Sequence, residues 1–359
     1  MPALSILIKP ASAACNLRCR YCFYRRPAQA FMSDAILALM VKNALRSAEG
    51  GCTFAFQGGE PTLVGLDFYA RLLALQAQYN VHQLTIENTL QTNGVLLDDA
   101  WCAFLAKHNF LVGLSLDGPR KIHEANRCDA EGNGSFNAVM QAAGRLKRHG
   151  VAFNILSVIT AQSARQPDAL YAFYQKKGYS FVQLIPCLAQ GTGEHNLQSG
   201  QYGDFLCRLF DLWYSDFVRG AGLDIRFFSN LVQMAAGYAP EACGMCGRCT
   251  PYPVVEADGR VYPCDFYVVD GWRLGTVAQD FRALLQSETA QRFAAVSRTV
   301  HADCAACPHA FLCRGGCRRW REPFVDGQAG RNVLCADYKQ FFAHCAPRIE
   351  LLAQQIFRA

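Results

Sequence analysis

The stretch Cys15-Asn16-Leu17-Arg18-Cys19-Arg20-Tyr21-Cys22 sets three thiols at x3 and then x2 spacing. Thiolates are the soft ligands that iron-sulfur cubanes select, normally one for each of four irons. Three cysteines in one short loop leave an iron open to a substrate or a cofactor, which suits a reaction centre. A zinc knuckle is the competing reading of the same spacing.

A second group follows late in the chain: Cys243-x5-Cys249-x14-Cys264, then Cys304-x2-Cys307-x5-Cys313-x3-Cys317-x17-Cys335. Eight thiols suffice for two fully ligated clusters, and two four-cysteine zinc sites would share the short spacings. Cys246, midway between Cys243 and Cys249, offers an alternative ligand. Cys52, Cys102, Cys128, Cys187, Cys207 and Cys345 have no partner at metal spacing and read as buried small hydrophobes. The remaining candidate is Asp265, beside Cys264, where partial burial would raise its pKa and nearby cations would lower it. Such an aspartate also commonly caps a turn.

The elements that must position these residues are legible in the apolar runs. Leu4 to Lys9, Thr53 to Gln57, Leu84 to Gln91, Phe110 to Leu116, Phe153 to Ile159 and Phe181 to Ile185 read as strands. Between and after them, helical periodicity covers Asp34 to Arg46, Asp67 to Gln78, Asp98 to Lys107, Ala138 to Arg148, Asp168 to Lys177 and Asp204 to Val218, with Ser33 and Asp98 in capping positions. Six alternating strands and helices predict a parallel, right-handed α/β array. The special residues fall just after strand ends: the cysteine loop, Gly58-Gly59-Glu60, Thr92-Asn93-Gly94 and Ser115-Leu116-Asp117-Gly118. Sites assembled at the carboxyl ends of parallel strands favour a partial (β/α)6 TIM-like barrel over a flat sheet. The alternation stops near Asn230, so we expect a barrel over 1–230 and a cysteine-rich iron-sulfur domain over 231–359.

Composition narrows the class further. With 51% hydrophobic and 18% charged residues, the 359-residue chain has material for a large core. Leu4 to Ile8 lacks a preceding basic segment and a cleavage site, so it is not read as a signal peptide. No window reaches the ~18 to 20 apolar residues of a membrane span. A cytoplasmic location is expected, where thiols stay reduced, and metal is then the better reading of 18 cysteines than disulfides.

The cysteine loop, with aromatic Tyr21 just before its last cysteine, resembles the radical S-adenosylmethionine superfamily. The resemblance implies that Cys15, Cys19 and Cys22 hold a [4Fe-4S] cluster whose open iron binds S-adenosylmethionine, a source of the 5′-deoxyadenosyl radical. Gln57-Gly58-Gly59-Glu60-Pro61 fits the same family, where the segment lies against the methionyl amino group; alone it would be an ordinary strand-to-helix turn. Ser115, Arg127 and Leu188 match positions that contact the cofactor in the closest subfamily. The late cysteines resemble the SPASM-type extension of peptide-modifying radical enzymes. That pattern gives Cys243, Cys249, Cys264 and Cys317 to a nearer auxiliary cluster and Cys304, Cys307, Cys313 and Cys335 to a farther one, three [4Fe-4S] clusters in all. Eleven thiolates and three cores of about +2 would add roughly −5 to the formal charge of +6, so basicity gives no argument for nucleic acid.

Ser5-Ile6-Leu7-Ile8-Lys9-Pro10, Cys22-Phe23-Tyr24, Phe54 to Pro61, Tyr262 to Tyr267 and Gly315-Gly316-Cys317-Arg318-Arg319 are together similar to anaerobic sulfatase-maturating enzymes. That family implies oxidation of a cysteine or serine in a Cys/Ser-x-Pro/Ala-x-Arg motif of an unfolded sulfatase to Cα-formylglycine, without oxygen. By the same resemblance Asp265 accepts the thiol or hydroxyl proton, the auxiliary clusters take the second electron, and a donor such as ferredoxin or flavodoxin supplies the first. Another radical peptide maturase, forming thioether or carbon-carbon crosslinks, is the nearer alternative; a non-catalytic zinc or electron-carrier module is the more distant one.

Overall fold

The computed structural model describes residues 3–24, 30–188, 193–324 and 328–356. In chain order it forms β1 (Leu4–Lys9), α1 (Asp34–Ser47), β2 (Gly51–Phe56), α2 (Leu66–Tyr79), β3 (Thr85–Thr92), α3 (Asp99–Lys107), β4 (Leu111–Ser115), α4 (Arg120–Glu124), α5 (Phe136–Arg148), β5 (Phe153–Ile159), α6 (Pro167–Lys176), β6 (Phe181–Pro186) and α7 (Gln201–Phe217). Shorter elements follow: β7 (Asp224–Ile225), α8 (Arg226–Ala235), β8 (Val254–Glu256), β9 (Arg260–Tyr262), β10 (Gly275–Thr276), α9 (Phe281–Gln286), α10 (Glu288–Val296), α11 (Ala310–Cys313) and α12 (Cys335–Ile356). The six expected strands and six expected helices all form, to within three residues at each end.

Local chemistry explains the boundaries. Ser33 caps α1 by accepting from the Ile36 N–H (3.3 Å), and Asp98 caps α3 by accepting from the Trp101 N–H (2.9 Å). Along α1, Leu37, Met40, Val41, Ala44 and Leu45 are buried, the spacing of one helical face. Strand β1 is buried at every position but Ser5, as expected of a parallel strand covered on both sides.

The chain separates into two compact units. The first comprises Met1–Leu116, Glu124–Asn154 and Pro251–Phe293. Its strands lie in the order β10-β9-β8-β1-β2-β3-β4, with β8 and β1 to β4 parallel and β9 and β10 antiparallel. Thus a segment well past Asn230 supplies β8 directly beside β1. The register sets Lys9 against Glu256 and Ile8 against Phe56, so the carboxyl ends of β8, β1 and β2 emerge side by side. Beneath them Tyr69 packs edge-on against Phe56 and Trp101, with centroids 5.1 and 5.4 Å away.

The second unit comprises Asp117–His123, Ile155–Thr250 and Ala294–Ala359. In it β5, β6 and β7 pair in parallel, and α12 packs along α7 and α8 through Phe210, Phe228 and Phe341. Cys52, Cys102, Cys187 and Cys345 are buried, as expected of small hydrophobes, while Cys128 and Cys207 are half-buried. Among the described residues, no helix is long and apolar enough to cross a membrane.

Candidate functional site: a cysteine loop and a buried Lys-Asp pair

The loop after β1 is held from two sides within the first unit. The Arg18 and Arg20 N–H groups donate to the carbonyls of Cys128 (2.7 Å) and Asn126 (2.9 Å), tying the loop to the segment that carries Arg127. The Arg127 guanidinium, in a residue only 7% exposed, sits 5.4 Å from the Tyr21 ring centroid. On the other side the Glu60 N–H donates to the Ala14 carbonyl (2.8 Å), one residue before Cys15.

Gly59 is required by this contact. Its φ is +55°, and a Cβ there would stand 2.3 Å from the Ala14 carbonyl oxygen and 2.7 Å from that of Ser12. The sequence suggested close approach to a cofactor; the structure shows close approach to the cysteine loop itself. Glu60, 1% exposed, then locks the next strand end. One carboxylate oxygen accepts from the Thr62 N–H (3.0 Å), the Thr62 hydroxyl (2.6 Å) and the Thr92 hydroxyl (2.7 Å), the other from the Asn93 N–H (2.7 Å). Burial pushes its pKa up, and these four donors pull it back. Asn93 completes the circuit: its amide donates to Asn16 Oδ1 (2.7 Å) and approaches Cys15 Sγ at 3.8 Å.

Cys15 Sγ also accepts from the Leu17 N–H at 3.4 Å. Burial pushes the Cys15 thiol up to about 11, and the charges of Glu60, Cys19 and Cys22 push the same way. Three thiols near enough to oppose one another's ionisation fit a polycationic iron core, which removes that opposition. Ser115, at the end of β4, accepts from Gln91 Nε2 at 3.0 Å. Leu188 follows β6 in the second unit and is half-buried.

In the second unit, Cys304, Cys307, Cys313 and Cys335 line one cavity together with His301, His309 and Tyr338. Cys313 is pushed up to about 11 by burial and by the other three thiols. Four thiols around one void fit a cluster with one thiolate per iron. Cys243 is pushed up to about 12 by burial, then by Cys249, Cys317 and Cys246, so these four also lie within electrostatic reach. Cys264, the expected fourth ligand of that set, belongs to the first unit.

Asp265 follows Cys264 in a single 3-10 turn and is 6% exposed. Its Oδ1 lies 2.5 Å from Nζ of the fully buried Lys9, and its Oδ2 accepts from Gln57 Nε2 at 3.0 Å. Lys9 Nζ also sits 3.5 Å from the centroid of the Tyr24 ring, whose hydroxyl donates to Glu256 with both carboxylate oxygens at 2.6 Å. Phe23 and Phe266, next to Cys22 and Asp265, are in contact with centroids 4.9 Å apart and remain partly exposed. The sequence singles out Asp265, and Gln57 as the first residue of the Gln57 to Pro61 segment, but not Lys9 or Glu256. The available signal was a charge ending an apolar run in each of two strands, Ile6-Leu7-Ile8-Lys9 and Val254-Val255-Glu256.

Comparison with known proteins adds to this geometry. Residues 10–173 match the model of the Radical SAM superfamily, and residues 246–308 match that of an iron-sulfur cluster-binding domain. A cysteine-type anaerobic sulfatase-maturating enzyme of Clostridium perfringens is 44% identical over 370 residues, covering 99% of this chain and all of that protein. A serine-type counterpart from Bacteroides thetaiotaomicron is 32% identical, covering 98% of this chain and 92% of that one. The solved structure of native anSMEcpe with bound AdoMet and Cp18Cys peptide superposes with a TM-score of 0.96 at 44% identity, covering 99% of this chain and all of that one. SuiB of Streptococcus suis, bound to S-adenosylmethionine, shares the fold at 18% identity and a TM-score of 0.66, covering 92% of this chain and 77% of that one.

Proposed function

The chain belongs to the anaerobic sulfatase-maturating enzymes of the radical S-adenosylmethionine superfamily, and from that premise we propose that it converts a cysteine of an unfolded sulfatase to Cα-formylglycine. The observation that carries the reading is an end-to-end likeness to the cysteine-type enzyme in a chain that sets a buried Asp265 on the same unit as the Cys15 loop. The higher identity to cysteine-type than to serine-type relatives favours cysteine as the residue oxidised.

Three [4Fe-4S] clusters are assigned, on Cys15, Cys19 and Cys22, on Cys243, Cys249, Cys264 and Cys317, and on Cys304, Cys307, Cys313 and Cys335. With the first cluster held by Cys15, Cys19 and Cys22, S-adenosylmethionine bound beside it would supply a carbon-centred radical able to abstract hydrogen, and the other two clusters would supply an acceptor for the second electron. Tyr21, Gly59, Ser115, Arg127 and Leu188 are assigned to the S-adenosylmethionine pocket. A buried arginine beside the loop suits the cofactor's carboxylate. Asp265 takes the substrate thiol proton, which makes the substrate-centred radical a better reductant. Loss of a Cβ hydrogen atom, of that proton and of one electron leaves a thioaldehyde, which water converts to the aldehyde with release of hydrogen sulfide. In this reading 1–230 is the radical domain, 231–359 carries the auxiliary clusters, and a cytoplasmic ferredoxin or flavodoxin provides the first electron.

The test is anaerobic incubation of the reconstituted chain with S-adenosylmethionine, dithionite and a Cys-x-Pro-x-Arg peptide. An aldehyde at the cysteine is expected. A product lighter by two hydrogens and lacking an aldehyde would replace this reading with crosslink formation.

A further inference from the structure

We propose that Lys9 is a positioning residue for the reaction, its ammonium fixing the carboxylate of Asp265 in the orientation that receives the substrate proton. The inference rests on the reading of Asp265 as proton acceptor.

Lysine is almost never fully buried without a partner, yet Lys9 is 0% exposed at the end of β1. Each feature around it serves to hold the ammonium at one point. The stem runs through the space that a side chain at residue 58 would need: a Cβ on Gly58 would stand 2.7 Å from Lys9 Cγ and 3.0 Å from Cδ and Nζ. The head rests 3.5 Å from the Tyr24 centroid. Tyr24 is in turn held by Glu256, the residue paired with Lys9 across β1 and β8.

What the head meets is Asp265 Oδ1 at 2.5 Å. The contact is a close ion pair, and among the described residues Asp265 Oδ1 has no other polar partner. Gln57 holds Oδ2 from the other side. The carboxylate is thus gripped at both oxygens from the carboxyl ends of two adjacent strands, and its plane is set before substrate arrives. A purely structural ion pair has no need of this arrangement, since a leucine and a methionine in the same volume would pack at least as well. Placement matters because the proton must leave in step with oxidation of the substrate carbon; a displacement near 1 Å in such a geometry costs on the order of 10²-fold.

The test uses the cluster-loaded full-length protein. Lys9→Met keeps the stem and removes the charge. It is expected to retain the iron-sulfur absorbance and the rate of deoxyadenosine formation, while formylglycine produced per deoxyadenosine falls about 10-fold or more. Lys9→Gln, which shortens the stem and replaces the ammonium with a neutral amide, should give the same signature and serves if Lys9→Met fails to fold. In an Asp265→Asn background, Lys9→Met should cause no further loss, because it acts only through Asp265. Full coupling in both Lys9→Met and Lys9→Gln, or equal losses of cluster absorbance, deoxyadenosine and formylglycine in both, would overturn the proposal. Full formylglycine yield from Asp265→Asn alone would instead overturn the assignment of Asp265.

Discussion

Gly59→Ala is expected to destabilise the protein by about 2–3 kcal/mol and to cut S-adenosylmethionine cleavage on the order of 100-fold. The backbone at Gly59, with φ of +55°, costs a non-glycine residue roughly 1–2 kcal/mol. The new Cβ would lie 2.3 Å from the Ala14 carbonyl oxygen, and ordinary contact begins at 3.4 Å, so that carbonyl must retreat by 3.4 − 2.3 = 1.1 Å. A retreat of that size breaks the 2.8 Å bond from the Glu60 N–H, worth about 1 kcal/mol. Both atoms are backbone, so no side-chain rotation relieves the clash, and the displaced residue adjoins Cys15. The assay pairs anaerobic urea unfolding with chromatographic measurement of deoxyadenosine. Gly65→Ala is the internal control, because its φ of +80° carries the backbone cost while nothing lies within 4 Å of its Cβ, so deoxyadenosine release should stay near wild type. A Gly59→Ala protein within about 0.5 kcal/mol of wild type that cleaves S-adenosylmethionine normally would refute the argument.

Other expectations follow from the same geometry. Asp265→Asn should keep its clusters and its deoxyadenosine release but lose aldehyde formation by on the order of 10²-fold, the usual weight of a general base; mass spectrometry of the peptide checks this. Cys15→Ala should abolish cofactor cleavage while the auxiliary clusters remain visible by electron paramagnetic resonance, and persisting cleavage would mean that the first cluster is misassigned. Cluster loading should improve as pH rises from 7 to 8.5. With Cys15 and Cys313 pushed up to about 11 and Cys243 to about 12, these thiols are protonated at neutral pH in the apoprotein and must each release a proton to bind iron, so higher pH favours the loaded form. Iron uptake that is flat across that range would contradict the sign.

The six β/α steps were legible because buried parallel strands read as apolar runs and their helices carry capped, one-sided apolar faces. The strands β8 to β10 were not, since two or three residues such as Val254-Val255-Glu256 carry no period; their pairing comes from the packing of the folded chain. The cysteine loop declared itself by spacing, and Asp265 by resemblance. Lys9 did not, because a lysine after an apolar strand ordinarily marks where the chain meets water. Only the register with Glu256 and the room left by Gly58 reveal that it turns inward. The role of Gly59 was half legible: close approach could be read from the residue type, but not that the approaching atoms are the Ala14 and Ser12 carbonyls.

The most direct measurement is tandem mass spectrometry of a Cys-x-Pro-x-Arg peptide after anaerobic turnover, with hydrazine present and deoxyadenosine quantified in the same vial. One hydrazone, located at the cysteine, is expected for each deoxyadenosine released. Deoxyadenosine from the fully cluster-loaded protein with an unmodified peptide would contradict it.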